Sequence, residues 1–71
     1  MKIGYVVNAY RKARGWSQIE FANLIKSDQS YVSKLERDRL SPSLNVAKTI
    51  ADVFGVTVDE LMKAAPTEAH S

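Results

Sequence analysis

Four polar side chains, Gln29, Ser30, Ser33 and Lys34, are spaced so that a helix through them turns all four toward one side. Their chemistry is hydrogen bonding rather than bond breaking. A glutamine amide sets a donor beside an acceptor, the pattern that pairs bidentately with adenine N6 and N7. A lysine ammonium can reach guanine O6 and N7, and a serine hydroxyl serves several bases. Ser33 is short, so it suits either a base edge or a phosphate. A helix fits the major groove of duplex DNA with its N-terminal residues toward the base edges, and Gln29 stands first in this row. Catalytic chemistry finds no comparable constellation. The only histidine, His70, sits near the C-terminus, and Ser17, Ser27, Ser30 and Ser33 are accounted for by helix caps and groove contacts.

The elements that must position this row can be read locally. Ser17 and Glu20 form a capping box: the hydroxyl of one accepts from the amide of the other, whose carboxylate reaches back, so a helix starts at Gln18. Trp16 before the cap and Phe21 after it have the spacing of a hydrophobic staple. Phe21, Ala22 and Ile25 then form an apolar face. Lys26, Ser27 and Asp28 interrupt that period, and Asp28 caps a second helix from Gln29 to about Arg37. In it Val32 and Leu35, with Tyr31 at the edge, form the inward stripe. Two short helices joined by a tight polar turn make a helix-turn-helix, and the expected partner is double-stranded DNA.

The rest of the chain also predicts helices. Ile3, Val6, Val7, Tyr10 and Ala13 recur with helical spacing from about Lys2 to Arg14, and Gly15 closes that helix. Pro42 and Ser43 open a fourth helix along Leu44, Ala47, Ile50, Ala51 and Phe54, which Gly55 ends. A second capping box, Thr57 with Glu60, begins a fifth that runs to about Ala64 before Pro66. The expected fold is therefore all-α, with one five-helix domain over residues 1–65 and a disordered tail over 66–71. Seventy-one residues at 45% hydrophobic content can bury one modest core. The absence of cysteine excludes disulfides and thiolate metal sites, and a single histidine cannot make a zinc site. No cofactor, small-molecule ligand or membrane partner is expected. Met1 and Lys2 lead straight into an amphipathic helix without a signal-type cleavage site, which points to the cytoplasm.

Charge is divided unevenly. Residues 1–39 carry eight Lys and Arg against four Asp and Glu, whereas residues 40–71 carry two against four. The basic half is the half that holds the helix-turn-helix, as a phosphate-facing surface requires.

The segment from Gln18 resembles the helix-turn-helix of the Cro and phage-repressor (XRE-type) family. Counting from Gln18, a small residue stands fifth (Ala22) and a branched one fifteenth (Val32), with apolar residues at Phe21, Ile25 and Leu35. Ser41-Pro42-Ser43-Leu44, Phe54-Gly55-Val56 and Val58-Asp59-Glu60-Leu61 also look like that family, so the likeness spans roughly Ile3 to Met62. Three positions depart from it, among them Ser27, where the family usually has an apolar residue. Lys26 and Asp38 stand where the family often has glycine, and a left-handed backbone there costs a lysine about 1 kcal/mol.

The resemblance implies a role for each exposed position. Gln29, Ser30, Ser33 and Lys34 become the base-contact set. Gln18, at a helix start whose amides and dipole favour an anion, is expected on the phosphate backbone. Arg39, Ser41 and Ser43 are expected on the other flank, with Arg14, Lys26 and Arg37 as further phosphate contacts. An arginine on the first helix is expected to pair inside the protein with a glutamate late in the recognition helix, here Arg11 with Glu36. Trp16 and Tyr10 are expected in the core, and Tyr5 and Tyr31 are the aromatics available to DNA or a partner. Val53, Val58 and Met62 exceed the apolar surface that so short a segment buries within one chain, so they are the expected homodimer interface, while Val56 and Leu61 close the core. The function implied is a transcriptional regulator, a repressor or controller, binding a palindromic operator as a homodimer. The alternative is a helical protein-interaction module such as an antitoxin or scaffold component. The polar character of the recognition face distinguishes the two, because a protein interface core favours aromatic and aliphatic groups.

Overall fold

A computed structural model describes residues 2–64. It contains five helices: α1 (Gly4–Ala13), α2 (Gln18–Leu24), α3 (Gln29–Glu36), α4 (Leu44–Phe54) and α5 (Val58–Ala64). The expected tail at 66–71 lies outside the described residues. Helices α2 and α3 form the helix-turn-helix, and α1 packs across α3.

Local chemistry explains most of the helix boundaries. Ser17 Oγ accepts from the Glu20 amide at 3.0 Å while Glu20 Oε1 accepts from the Ser17 amide at 2.7 Å. Thr57 and Glu60 repeat the arrangement at 3.0 and 2.8 Å before α5. Ser43 caps α4 by accepting from the Val46 amide. All of the first four helices close in one way, with a residue of positive φ just past the end: Gly15 (71°), Lys26 (58°), Asp38 (56°) and Gly55 (75°). The amide that follows each of these returns to a carbonyl of the last helical turn, as in Ser27 to Ala22 at 2.8 Å and Arg39 to Lys34 at 2.9 Å.

The start of α1 differs from expectation. It begins at Gly4 rather than Lys2, and Ile3 at its N-cap supplies no side-chain bond. The amide of Gly4 instead donates to Asp38 Oδ1 at 3.0 Å, so a residue 34 positions away caps this helix. That approach requires glycine: a Cβ at position 4 would lie 2.6 Å from the carbonyl oxygens of both Leu35 and Glu36.

The core is formed by Ile3, Val6, Val7, Phe21, Ala22, Ile25, Val32, Leu35, Ile50, Ala51, Phe54 and Leu61, contributed by all five helices, the residue before α1 and the residue after α2. Phe21 and Phe54 stack at 5.0 Å, with Trp16 against both at 6.3 and 6.1 Å and Tyr10 edge-on to Phe54 at 5.2 Å. Such pairs add about 0.5–1.5 kcal/mol each beyond the area they bury. The Trp16 to Phe21 contact is the staple that sets the entry angle of α2.

Candidate nucleic-acid interface

The recognition helix is fixed from within. Asp28 Oδ1 accepts from the Tyr31 amide at 2.8 Å, which starts α3 at Gln29. Val32 and Leu35 are fully buried, and this phases the helix so that Gln29, Ser30 and Lys34 are exposed and Ser33 is half-buried. The four residues expected at the bases therefore share the outer side of one helix.

Behind that side lies a buried ion pair. Arg11 Nε donates to Glu36 Oε2 at 2.6 Å and Nη2 to Oε1 at 3.1 Å, with both side chains under a tenth exposed. Nη1 of the same guanidinium donates to the Trp16 carbonyl at 2.7 Å, which ties the α1–α2 loop to the pair. Asn8 Nδ2 also donates to Glu36 Oε1 at 2.9 Å. Asn8 was missed by the sequence reading, although its place one helical turn before Arg11 puts both on the same stripe of α1. Burial opposes ionisation of Glu36, but the bonds from Arg11, Asn8 and Gln18 and the Arg11 charge outweigh it. Its pKa is lowered from the usual glutamate value of 4.5. Burial raises the Tyr31 hydroxyl pKa, so it stays a neutral phenol at pH 7.

The expected phosphate contacts fall into different settings. Lys26 and Arg39 are exposed on either side of α3. Arg37 is exposed with Nε on its own helix at the Ser33 carbonyl, 3.3 Å away. Ser41 is exposed, and Ser43 sits at the N-cap of α4. Gln18 is half-buried at the start of α2, with its amide between Glu36 and Gln29. Arg14 is exposed and also engaged within the chain. Its guanidinium lies 5.1–5.9 Å from the rings of Phe54, Tyr10 and Trp16, and donates to the Phe54 carbonyl at 2.7 Å and the Tyr10 carbonyl at 3.2 Å. It joins the end of α4 to α1, because a planar cation gains more over stacked rings and a helix-terminal carbonyl than in open solvent.

Among the apolar candidates, Val53 and Val58 are half-buried against the core, as is Val56, while Leu61 is fully buried. Met62 is half exposed. A shallow depression of about 240 Å³ between α4 and α5 is lined by Lys48, Ala51, Asp52, Val56, Thr57 and Val58. Tyr5 is exposed and Tyr31 half-buried. Among the described residues no cluster of His, Asp or Glu is arranged to hold a metal, and no helix is long and apolar enough to cross a membrane.

Comparison with known proteins agrees with this arrangement. A helix-turn-helix family profile matches residues 7–61. The immunity repressor of Bacillus phage phi105 is 32% identical over 62 residues, which cover 87% of this chain and 43% of the repressor, so the chain spans about two fifths of that protein. The HTH-type transcriptional regulator YazB of Bacillus subtilis is 34% identical over 92% of this chain and 90% of its own length. In structure, the Bacillus subtilis biofilm regulator SinR in complex with DNA superposes with a TM-score of 0.77 at 33% identity, over 84% of this chain and 97% of that one. The buried face of α3, the polar face opposite it and these likenesses converge: the chain belongs to the Cro and phage-repressor (XRE-type) helix-turn-helix family of DNA-binding transcriptional regulators, which are not enzymes.

Proposed function

We propose that the protein is a repressor or controller that binds duplex DNA sequence-specifically as a homodimer on a two-fold symmetric operator. The observation that carries this reading is the division of α3: Val32 and Leu35 lock its inner face, which leaves Gln29, Ser30, Ser33 and Lys34 as hydrogen-bonding groups on the outer one. Gln29 pairs with adenine, Lys34 with guanine, and the two serines with bases or adjacent phosphate. Gln18, Lys26, Arg37, Arg39, Ser41 and Ser43 hold the phosphates on both flanks and set the register. SinR, solved in complex with DNA, supports the same use of the shared fold. The operator is chromosomal or phage DNA, so the protein works in the cytoplasm.

One recognition helix reads too few base pairs to single out a site, and two copies about one helical turn apart double the information. The second copy covers Met62 and the outer parts of Val58 and Val53. Titration of duplex DNA tests the reading. About six phosphates neutralised per dimer give a log affinity against log salt slope near −5. Absence of duplex binding at low salt overturns DNA binding, and a strict monomer at micromolar protein with no two-fold footprint overturns the dimer.

A further inference from the structure

Between Arg37 and Arg39, both read as phosphate contacts, stands a carboxylate, Asp38. An acidic group in a phosphate-facing loop repels DNA unless its charge is engaged elsewhere. In this chain it is engaged, because Asp38 Oδ1 accepts from the Gly4 amide at 3.0 Å. We propose that Asp38 is a positioning residue for DNA binding: by accepting from Gly4 it ties the start of the α3–α4 loop to α1 and so holds Arg39 ready for a phosphate. The proposal rests on the reading of Arg39 as a phosphate contact.

The Gly4 amide is the first of α1, at the positive end of the helix dipole, and Ile3 at the N-cap brings no side chain to it. A carboxylate in that place is both bonded and partly neutralised. The backbone around it is fixed as well. The Asp38 amide donates to the Leu35 carbonyl at 3.0 Å and the Arg39 amide to the Lys34 carbonyl at 2.9 Å, which closes α3. A Cβ on residue 4 would meet the Leu35 and Glu36 carbonyls and Asp38 Oδ1, so the start of α1 lies directly on that closure. On the far side of Arg39, Leu40 packs against the core and Pro42 is buried. Arg39 therefore stands, exposed, between two held points. A cation presented in this way has less freedom to give up when it meets a phosphate. Without the Asp38 side chain one of the two points is released. The left-handed backbone of Asp38, with φ of 56°, suits glycine and asparagine too, so the acceptor can be removed without forcing a new backbone conformation.

The test compares Asp38→Asn with Asp38→Gly on a duplex of mixed sequence at rising salt, at a temperature where both are folded. Both variants are neutral, but asparagine keeps an oxygen for the Gly4 amide and glycine does not. Asp38→Asn should bind as tightly as wild type or tighter, since a negative charge has gone and the tie remains. Asp38→Gly should bind about 3- to 10-fold more weakly per copy than Asp38→Asn, the range of one hydrogen bond. Its salt slope should be shallower by up to about 1 per copy as Arg39 disengages. On an Arg39→Ala background the difference between the two should vanish, because it passes through Arg39. Equal affinity of the two variants overturns the proposal, since Asp38 would then act on DNA through its charge alone. A weaker glycine variant with the salt slope of Asp38→Asn, or one whose deficit persists on the Arg39→Ala background, marks a purely structural bond and overturns it too. Wild type that binds no duplex, or Arg39→Ala that binds as wild type does, instead refutes the reading of Arg39 on which the proposal stands.

Discussion

The two ends of α3 are built differently. At its N-terminal end a single aspartate cap starts the helix, Gln29 and Ser30 are exposed, and the preceding turn carries Lys26 in the left-handed region. At its C-terminal end Glu36 is enclosed by Arg11 and Asn8, the Leu35 and Glu36 carbonyls pack against Gly4, and Asp38 holds the start of α1. The helix is thus anchored where it reads nothing and open where the bases would lie. Stability and specificity are thereby separated along one element. Changes at the anchored end should move melting temperature most, whereas changes at the open end should move DNA binding most.

The largest expected effect is at the anchor. Glu36→Ala leaves a buried guanidinium without its partner and should cost about 3 kcal/mol, enough to lower Tm by roughly 12 °C or more in a domain of this size. A Tm equal to wild type would remove the anchor from the comparison. Gly4→Ala forces a methyl against two backbone carbonyls that cannot move without shifting α3, and should cost about 2–3 kcal/mol by thermal melting.

At the open end, Gln29→Ala should leave Tm unchanged and lose about 1–3 kcal/mol on the preferred operator only. Arg39→Ala should weaken all sequences alike and make the salt slope shallower. Identical behaviour of the two variants would show that bases and phosphates have been sorted wrongly.

A sharper test uses the two residues of equal φ. Lys26→Gly relieves a left-handed lysine and should stabilise by up to about 1 kcal/mol while weakening DNA binding generally. Asp38→Gly relieves the same strain but removes the acceptor for the Gly4 amide, and should destabilise by about 1 kcal/mol net. Chemical denaturation giving the same sign for both would erase the distinction between the two ends. The smallest effect expected is in acid. Because the folded-state pKa of Glu36 lies below its ordinary 4.5, its contribution is complete above that value and is lost as pH falls below it. Melting between pH 6 and 3 should show a steeper acid loss for wild type than for Glu36→Gln.

How much of this was legible follows from distance along the chain. The capping boxes at Ser17 with Glu20 and Thr57 with Glu60, the staple of Trp16 on Phe21, and the inward stripe of Val32 and Leu35 each involve residues within one or two helical turns. Their spacing alone therefore specifies them. The left-handed backbone at Lys26 and Asp38 was readable because each stands just past a helix end where the family often has glycine. The engagement of Arg14 was not legible because its acceptor, the Phe54 carbonyl, lies 40 residues away and nothing local to the arginine marks it.

The sequence by itself determined five helices, their order and the face each turns inward, because caps and apolar periodicity act over four or fewer residues. Only the tertiary structure decided where α1 begins, which cation joins α1 to the end of α4, and that Glu36, Gln18 and Gln29 stand in one line. Those outcomes depend on donors and acceptors brought together across 11 to 40 residues of chain. Such pairings are set by how the helices pack, and spacing in the sequence carries no record of them.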